Sequence, residues 1–265
     1  NAQTARLYTD LGYFTCRPDF GEDATNLFNL LTGVCQFQPM RKLLVAPFEL
    51  HGRLLELIER EAEHARRGLP ARIVARMNAL VDEPLIDALC RASQSGVRIE
   101  LVVRGICCLQ PGIKGISQNI TVSSVVDRFL EHSRVWCFEN ACQPQVFVAS
   151  ADWMPRSFFR RIELAFPVED GVIADRLYNE ILATTLADNV KRRVLQSDGA
   201  YRPVRPARGE PERRSQASFM AQALQDEPGG RRPKRRPARH PEIKLAPRPA
   251  SLDAPRPAVP PEAGR

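Results

Sequence analysis

Between residues 72 and 103 the hydrophobic period changes twice. Arg72–Met77 reads as a strand. Asp82 then caps a helix with Pro84 in its first turn, and Leu85, Ile86, Leu89 and Cys90 face inward until Gly96 stops it. Residues 97–103 (Val97-Arg98-Ile99-Glu100-Leu101-Val102-Val103) return to a strand that emerges at Arg104-Gly105. Strand, helix and strand within about 30 residues is what a parallel crossover requires.

The rest of the body alternates in the same way. Residues 9–16 read as a strand. Residues 19–32 read as a helix with Leu27, Phe28, Leu30 and Leu31 on its apolar face and Gly33 just past its end. A short apolar run at 43–45 precedes a longer amphipathic helix over 49–67. Residues 119–123 predict a strand and 125–130 a short helix. Arg134–Phe138 and 146–149 predict a hairpin, 161–167 a strand, and 171–185 a closing helix with Ile173, Leu177, Tyr178, Ile181 and Leu182 inward. The fold class is α/β, a mixed sheet flanked by helices.

After residue 200 the pattern fades. Thirteen of the 22 prolines lie there, and residues 201–265 hold 15 Lys+Arg against 7 Asp+Glu, which more than accounts for the net charge of +7. The body is nearly neutral, so a basic fold wrapped on nucleic acid is not implied. Residues 209–265 read as a Pro/Arg-rich tail, with 212–265 mostly disordered because so polar a segment buries too little surface to offset its ordering entropy. Ser215–Gln225, with Phe219, Met220, Ala223 and Leu224, is the exception and could form a weak helix. The run from Arg231 to Arg239 suits any polyanion, so nucleic acid would be held only non-specifically. Seven cysteines without paired or zinc-ligand spacing read as reduced thiols of a cytosolic protein, and the adjacent Cys107 and Cys108 cannot pair without strain. No apolar run approaches the ~20 residues of a membrane span. Asn1 opens neither an initiator methionine nor a signal peptide, which predicts a processed chain or the back part of a longer one.

Several residue groups could carry chemistry. Arg104 stands just past a strand's carboxyl end, where open α/β sheets bind ligands, and its fork could hold an oxyanion; the alternative is a solvated loop arginine. His132 enters a strand two residues before Arg134, so the imidazole and guanidinium share a face; the alternative is a hydrogen-bonded structural histidine. Ser150 and Asp152, at another strand end, could cap the next segment or orient His132. Arg156, Arg160 and Arg161 form an arginine cluster that favours oxyanions or is plain surface charge. Tyr8 could stack on a base or sit in the core. His51, His64 and His240 read as solvated. Walker-type phosphate loops, dinucleotide glycine motifs, nucleophile elbows and zinc-protease motifs are missing.

Four segments together carry a resemblance. Thr4-Ala5-Arg6-Leu7-Tyr8-Thr9-Asp10, Leu101-Val102-Val103-Arg104-Gly105-Ile106-Cys107-Cys108-Leu109, Val126-Asp127-Arg128-Phe129-Leu130-Glu131-His132-Ser133-Arg134 and Ser150-Ala151-Asp152-Trp153-Met154-Pro155-Arg156 resemble, in order, segments of the long-form polyphosphate kinase family. The resemblance runs over about residues 1–208. It implies two phospholipase-D-like domains, with 1–42 closing the first and 43–208 forming the second. It implies a kinase that moves the terminal phosphate of ATP reversibly onto inorganic polyphosphate, with Mg²⁺, through a phosphohistidine upstream of Asn1. Tyr8, Arg104 and His132 match positions contacting nucleotide phosphates, His132 as a secondary histidine. Metal ligands are expected outside this chain, as are a homo-oligomeric full-length protein and a cytoplasmic location. This sequence departs from the family at Arg76, Ser157 and Ala141-Cys142-Gln143. The competing reading is a non-catalytic remnant that binds polyphosphate or nucleotide, with the basic tail adding affinity for polyanions. A phosphodiesterase is disfavoured, because Arg134 stands where those enzymes carry lysine.

Overall fold

A computed structural model describes residue 3 and residues 6–225. The basic run at 231–239 and the predicted disorder beyond 225 lie outside these residues.

Nine strands form one mixed sheet: β2 (Leu44–Ala46), β3 (Arg72–Met77), β4 (Arg98–Val103), β5 (Ile120–Val125), β7 (Arg134–Phe138), β8 (Gln145–Ala149), β9 (Glu163–Pro167), β10 (Arg192–Leu195) and β11 (Tyr201–Pro203), in the spatial order β11-β10-β5-β4-β3-β7-β8-β9-β2. β3, β4 and β5 run parallel, while β7, β8, β9 and β2 continue antiparallel on one side and β10 and β11 on the other. β1 (Tyr8–Thr9) and β6 (Leu130–Glu131) make a separate parallel pair.

Alternation along the strands builds a core on each face. Ile73, Ala75 and Met77 of β3, with Ile99, Leu101 and Val103 of β4, pack under α2 (Leu50–Arg66) and α3 (Glu83–Gln94). Val74, Val135 and Cys137 point the other way and meet Leu177 and Leu182. Those two belong to α5, which comprises Gly171–Asp175, a π-helical stretch Arg176–Leu182 and Ala183–Leu186. The Asp82 cap forms as predicted: its carboxylate accepts the Leu85 N–H and leaves an orphan amide satisfied. Among the described residues no helix is long and apolar enough to cross a membrane, and all seven cysteines are free.

Four expectations change. Over 9–16 only Thr9 belongs to a strand: Asp10 turns its carboxylate onto the Leu11 N–H, a local bond that competes with a ladder. The helix predicted at 125–130 is replaced by the end of β5 and by β6, because the Phe129 backbone is gripped on both sides by Gln216 and Asp127 pairs with Arg214. In α1 (Pro18–Leu31) the buried positions are Phe20, Asp23 and Leu27, whereas Phe28 and Leu31 are exposed; Asp23 sits inward because it accepts the N–H groups of Arg41, Lys42 and Leu43. His51 is not solvated: it lies 2.9 Å from Asp82 and packs edge-on against Phe158.

The start of the tail is also ordered. α6 (Ser215–Gln225) is anchored through buried Asp188, one of whose oxygens accepts the N–H groups of Val190, Lys191 and Arg192 while the other accepts the N–H and hydroxyl of Ser215. Asp188→Ala strands the buried N–H and hydroxyl of Ser215, at about 1–3 kcal/mol for each group left unpaired, and frees the half-buried turn at residues 190–192. Faster amide exchange across Ser215–Gln225 is therefore expected; unchanged exchange would show the helix is held otherwise.

Candidate functional site

Parallel β3 and β4 end on one rim of the sheet. Antiparallel β7 begins there, since Arg76 pairs with Val135, and β8 ends there, since Arg134 pairs with Ala149. The residues just past these ends therefore meet, although they come from far apart in the chain: Asn78, Arg104, His132 and Asp152.

They form one hydrogen-bonded run. Arg104 donates through Nε to Asn78 Oδ1 at 2.8 Å. The Asn78 N–H donates to Asp152 Oδ1 at 2.7 Å. Asp152 also accepts both arms of the Arg134 fork, at 3.2 Å from Nε and 2.9 Å from Nη2. Arg134 Nη1 lies 2.8 Å from His132 Nδ1. Tyr8 closes the far side, its ring edge-on to the imidazole at 5.4 Å between centroids. The β1–β6 pairing sets that contact, extended by the His132 N–H donating to the Thr9 carbonyl.

The Arg104 turn is tightly seated. The Gly105 N–H donates to the Asn78 carbonyl at 2.9 Å, and a Cβ on Gly105 would meet that same oxygen at 2.9 Å. Only glycine lets the backbone approach so closely.

The electrostatics are arranged around arginine. Burial works against the Asp152 charge, but the Arg134 fork and the Asn78 N–H outweigh it and hold the carboxyl below its usual range. His132 is pushed below the ordinary histidine value by burial and then by Arg134, with Asp10 and Asp152 opposing. The ring is therefore neutral at pH 7. Both ring nitrogens face the Arg134 fork, Nδ1 2.8 Å from Nη1 and Nε2 3.2 Å from Nη2, and Nδ1 also lies 3.6 Å from Asp10 Oδ2. Arg134→Met removes the nearest positive charge and frees the Asp152 carboxylate. Both changes favour imidazolium, so the His132 pKa should rise in an NMR titration of its ring signals; a fall would contradict this arrangement.

Arg76 lies buried below the rim, paired with buried Glu131 of β6. Burial is the main cause that pushes its guanidinium down to about 10, with Asp10 opposing and Arg104 adding, so it keeps its charge at neutral pH.

Of the predicted site residues, the fold brings Tyr8, Arg104 and His132 into this one region. Asp152 orients His132 only through Arg134. Ser150 does not: it donates to Glu163 and accepts the Leu164 N–H, holding the start of β9. Arg156, Arg160 and Arg161 lie exposed on and after α4 (Pro155–Phe159). Asn78 was missed, although it follows the end of β3 as directly as Arg104 follows β4, and the strand-end rule applied to β3 would have found it.

Comparison with known proteins shows the family. The profile of polyphosphate kinase C-terminal domain 2 matches residues 43–216. The chain belongs to the polyphosphate kinase family. The profile of polyphosphate kinase C-terminal domain 1 matches residues 1–37. A polyphosphate kinase from Synechocystis is 51% identical over 224 residues, covering 84% of this chain and 31% of its own length. One from Thermosynechococcus vestitus is 50% identical over 229 residues, covering 86% and 31%. The crystal structure of the Porphyromonas gingivalis polyphosphate kinase superposes with a TM-score of 0.76 at 39% identity, over 80% of this chain and 32% of that one. The chain thus spans about a third of the length of the polyphosphate kinases it matches.

Proposed function

We propose that this chain supplies a phosphate-gripping part of an ATP:polyphosphate phosphotransferase. In this reading the enzyme moves the terminal phosphate of ATP reversibly onto inorganic polyphosphate, and the histidine phosphorylated on the way lies upstream of this chain. The observation that carries the proposal is the single run of hydrogen bonds joining Arg104 to His132, with Tyr8 against the imidazole.

Phosphoryl transfer asks a protein mainly for positioning and for stabilisation of charge spread over three oxygens. Arg104 is tied at Nε, which fixes the plane of its fork and leaves both Nη groups for an oxyanion. His132, in its neutral form, supplies a ring N–H for a hydrogen bond to a phosphoryl oxygen. Tyr8 packs beside the nucleotide. His132 also acts as a subsidiary proton donor or acceptor.

Mg²⁺ would neutralise charge on the transferring phosphates. Among the described residues no three His, Cys, Asp or Glu side chains are grouped to hold a metal ion. Of the carboxylates near the rim, Asp152 and Glu131 are committed to Arg134 and Arg76, and Asp10 lies 3.6 Å from His132 Nδ1. The metal's ligands are proposed to lie outside this chain. The full-length enzyme is further proposed to be homo-oligomeric and cytoplasmic. With the phosphorylated histidine elsewhere, the chain by itself binds nucleotide and polyphosphate without turning them over.

The test is ATP-dependent polyphosphate formation by an enzyme of full family length carrying this chain, unaltered and with Arg104→Ala or His132→Ala. Loss of synthesis in both variants supports the reading, and wild-type rates in both overturn it.

A further inference from the structure

Asn78 is 9% exposed, and most of its polar groups are accounted for. Its N–H goes to Asp152, its carbonyl accepts from Gly105, and its Oδ1 accepts from Arg104 Nε. Its Nδ2 is buried and has no hydrogen-bond partner. The carboxamide cannot be turned round to relieve this, because an NH₂ facing the Arg104 Nε–H would set donor against donor. An unpaired buried donor is costly and rare in folded proteins, and such groups collect where a ligand completes the bonding.

The orphan donor shares its carbon with the oxygen that steers Arg104. Around it stand two guanidinium groups, Arg104 beside it and Arg134 beyond Asp152, against one carboxylate, Asp152, which accepts the Asn78 N–H and is itself taken up by the Arg134 fork. An acceptor-rich, negatively charged group satisfies such a corner, whereas a cation or an apolar group does not. We propose that Asn78 is a further phosphate-binding residue, whose Nδ2 donates to an oxygen of the phosphate held by Arg104 and His132. The inference rests on the proposed function of this site and adds a donor to it. Asn78 then has two tasks, fixing the plane of the arginine fork with its oxygen and contacting the ligand with its nitrogen.

Two substitutions separate these tasks. Asn78→Asp keeps an acceptor for Arg104 Nε and replaces the ligand donor by a carboxylate oxygen. Asn78→Ala removes both. The probe is tripolyphosphate, titrated calorimetrically into the 265-residue chain. If Asn78 contacts phosphate, Asn78→Asp binds at least roughly tenfold more weakly than the unaltered chain, as loss of a charge-assisted hydrogen bond and added repulsion demand. It is also weaker than Asn78→Ala. If Asn78 only steers Arg104, the order reverses and Asn78→Asp binds like the unaltered chain, which overturns the inference.

Arg104→Ala serves as the control. Its failure to weaken binding, or absence of binding by the unaltered chain, sinks the site reading and the inference with it. Binding that depends on Arg104 while Asn78→Asp equals or exceeds Asn78→Ala sinks the inference alone. Should Asn78→Asp fail to fold, the unaltered chain decides: the Asn78 side-chain NH₂ signals must shift on saturation with tripolyphosphate, and unmoved signals overturn the proposal.

Discussion

If the proposed function holds, truncating Arg104 to alanine in an enzyme of full family length carrying this chain is expected to lower ATP-dependent polyphosphate synthesis roughly 10²–10³-fold, the usual cost of losing one preorganised donor aimed at developing charge. The reason is geometric. Arg104 leaves the sheet at the end of β4, its backbone N–H bonded to the Met77 carbonyl and its Nε to Asn78. The fork is thus set before any ligand arrives, and little ordering is required at the moment of reaction. Arg104→Lys keeps the charge and loses the planar fork and the tie to Asn78, so it should recover only part of the rate. His132→Ala should fall by a similar factor. The double variant should be little worse than either single one, because groups gripping the same phosphoryl oxygens act as a unit. Steady-state rates measured against ATP and polyphosphate concentration check this. A double variant whose losses multiply would mean that the two residues act at separate places.

The largest effect on stability is expected at Glu131. Glu131 and Arg76 are 8% and 5% exposed and face one another across the gap between β6 and β3. Glu131→Ala leaves a guanidinium buried without its counter-ion, and breaking a buried pair from one side costs about 3–5 kcal/mol. Replacing both, Arg76→Met with Glu131→Leu, removes the stranded charge and should restore most of the loss. Urea unfolding of the single and double variants measures both quantities. A double variant no more stable than Glu131→Ala would show that the ion pair is not the cause. The same pair seats β6 and, through its ladder with β1, Tyr8 beside His132, so Glu131→Ala should also weaken ligand binding.

The crossover from β3 through α3 to β4 was legible because its signals are local. Alternating residues, the Asp82 cap, Pro84 and Gly96 each act within a turn of where they stand. The segment 125–130 was misread for the opposite reason. The groups that hold Phe129 and Asp127 out of a helix are Gln216 and Arg214, far along the chain in a region that composition assigns to a disordered tail. Ser150 and Asp152 looked equivalent at a strand end. Only the neighbouring strands decide that Ser150 faces Glu163 and Asp152 faces Arg134.

The amino-acid order by itself determined the α/β class, the parallel centre of the sheet, the caps, and an arginine and a histidine placed where strands end. These features arise from period, burial and backbone preference, which are properties of neighbouring residues. Tertiary structure alone decided that Asn78, Arg104, Arg134 and Asp152 share one network, that Arg76 is buried against Glu131, and that Asp188 draws residue 215 onto the body. Each of those contacts depends on strand order and register, and a buried polar group takes whichever partner the packing brings within reach.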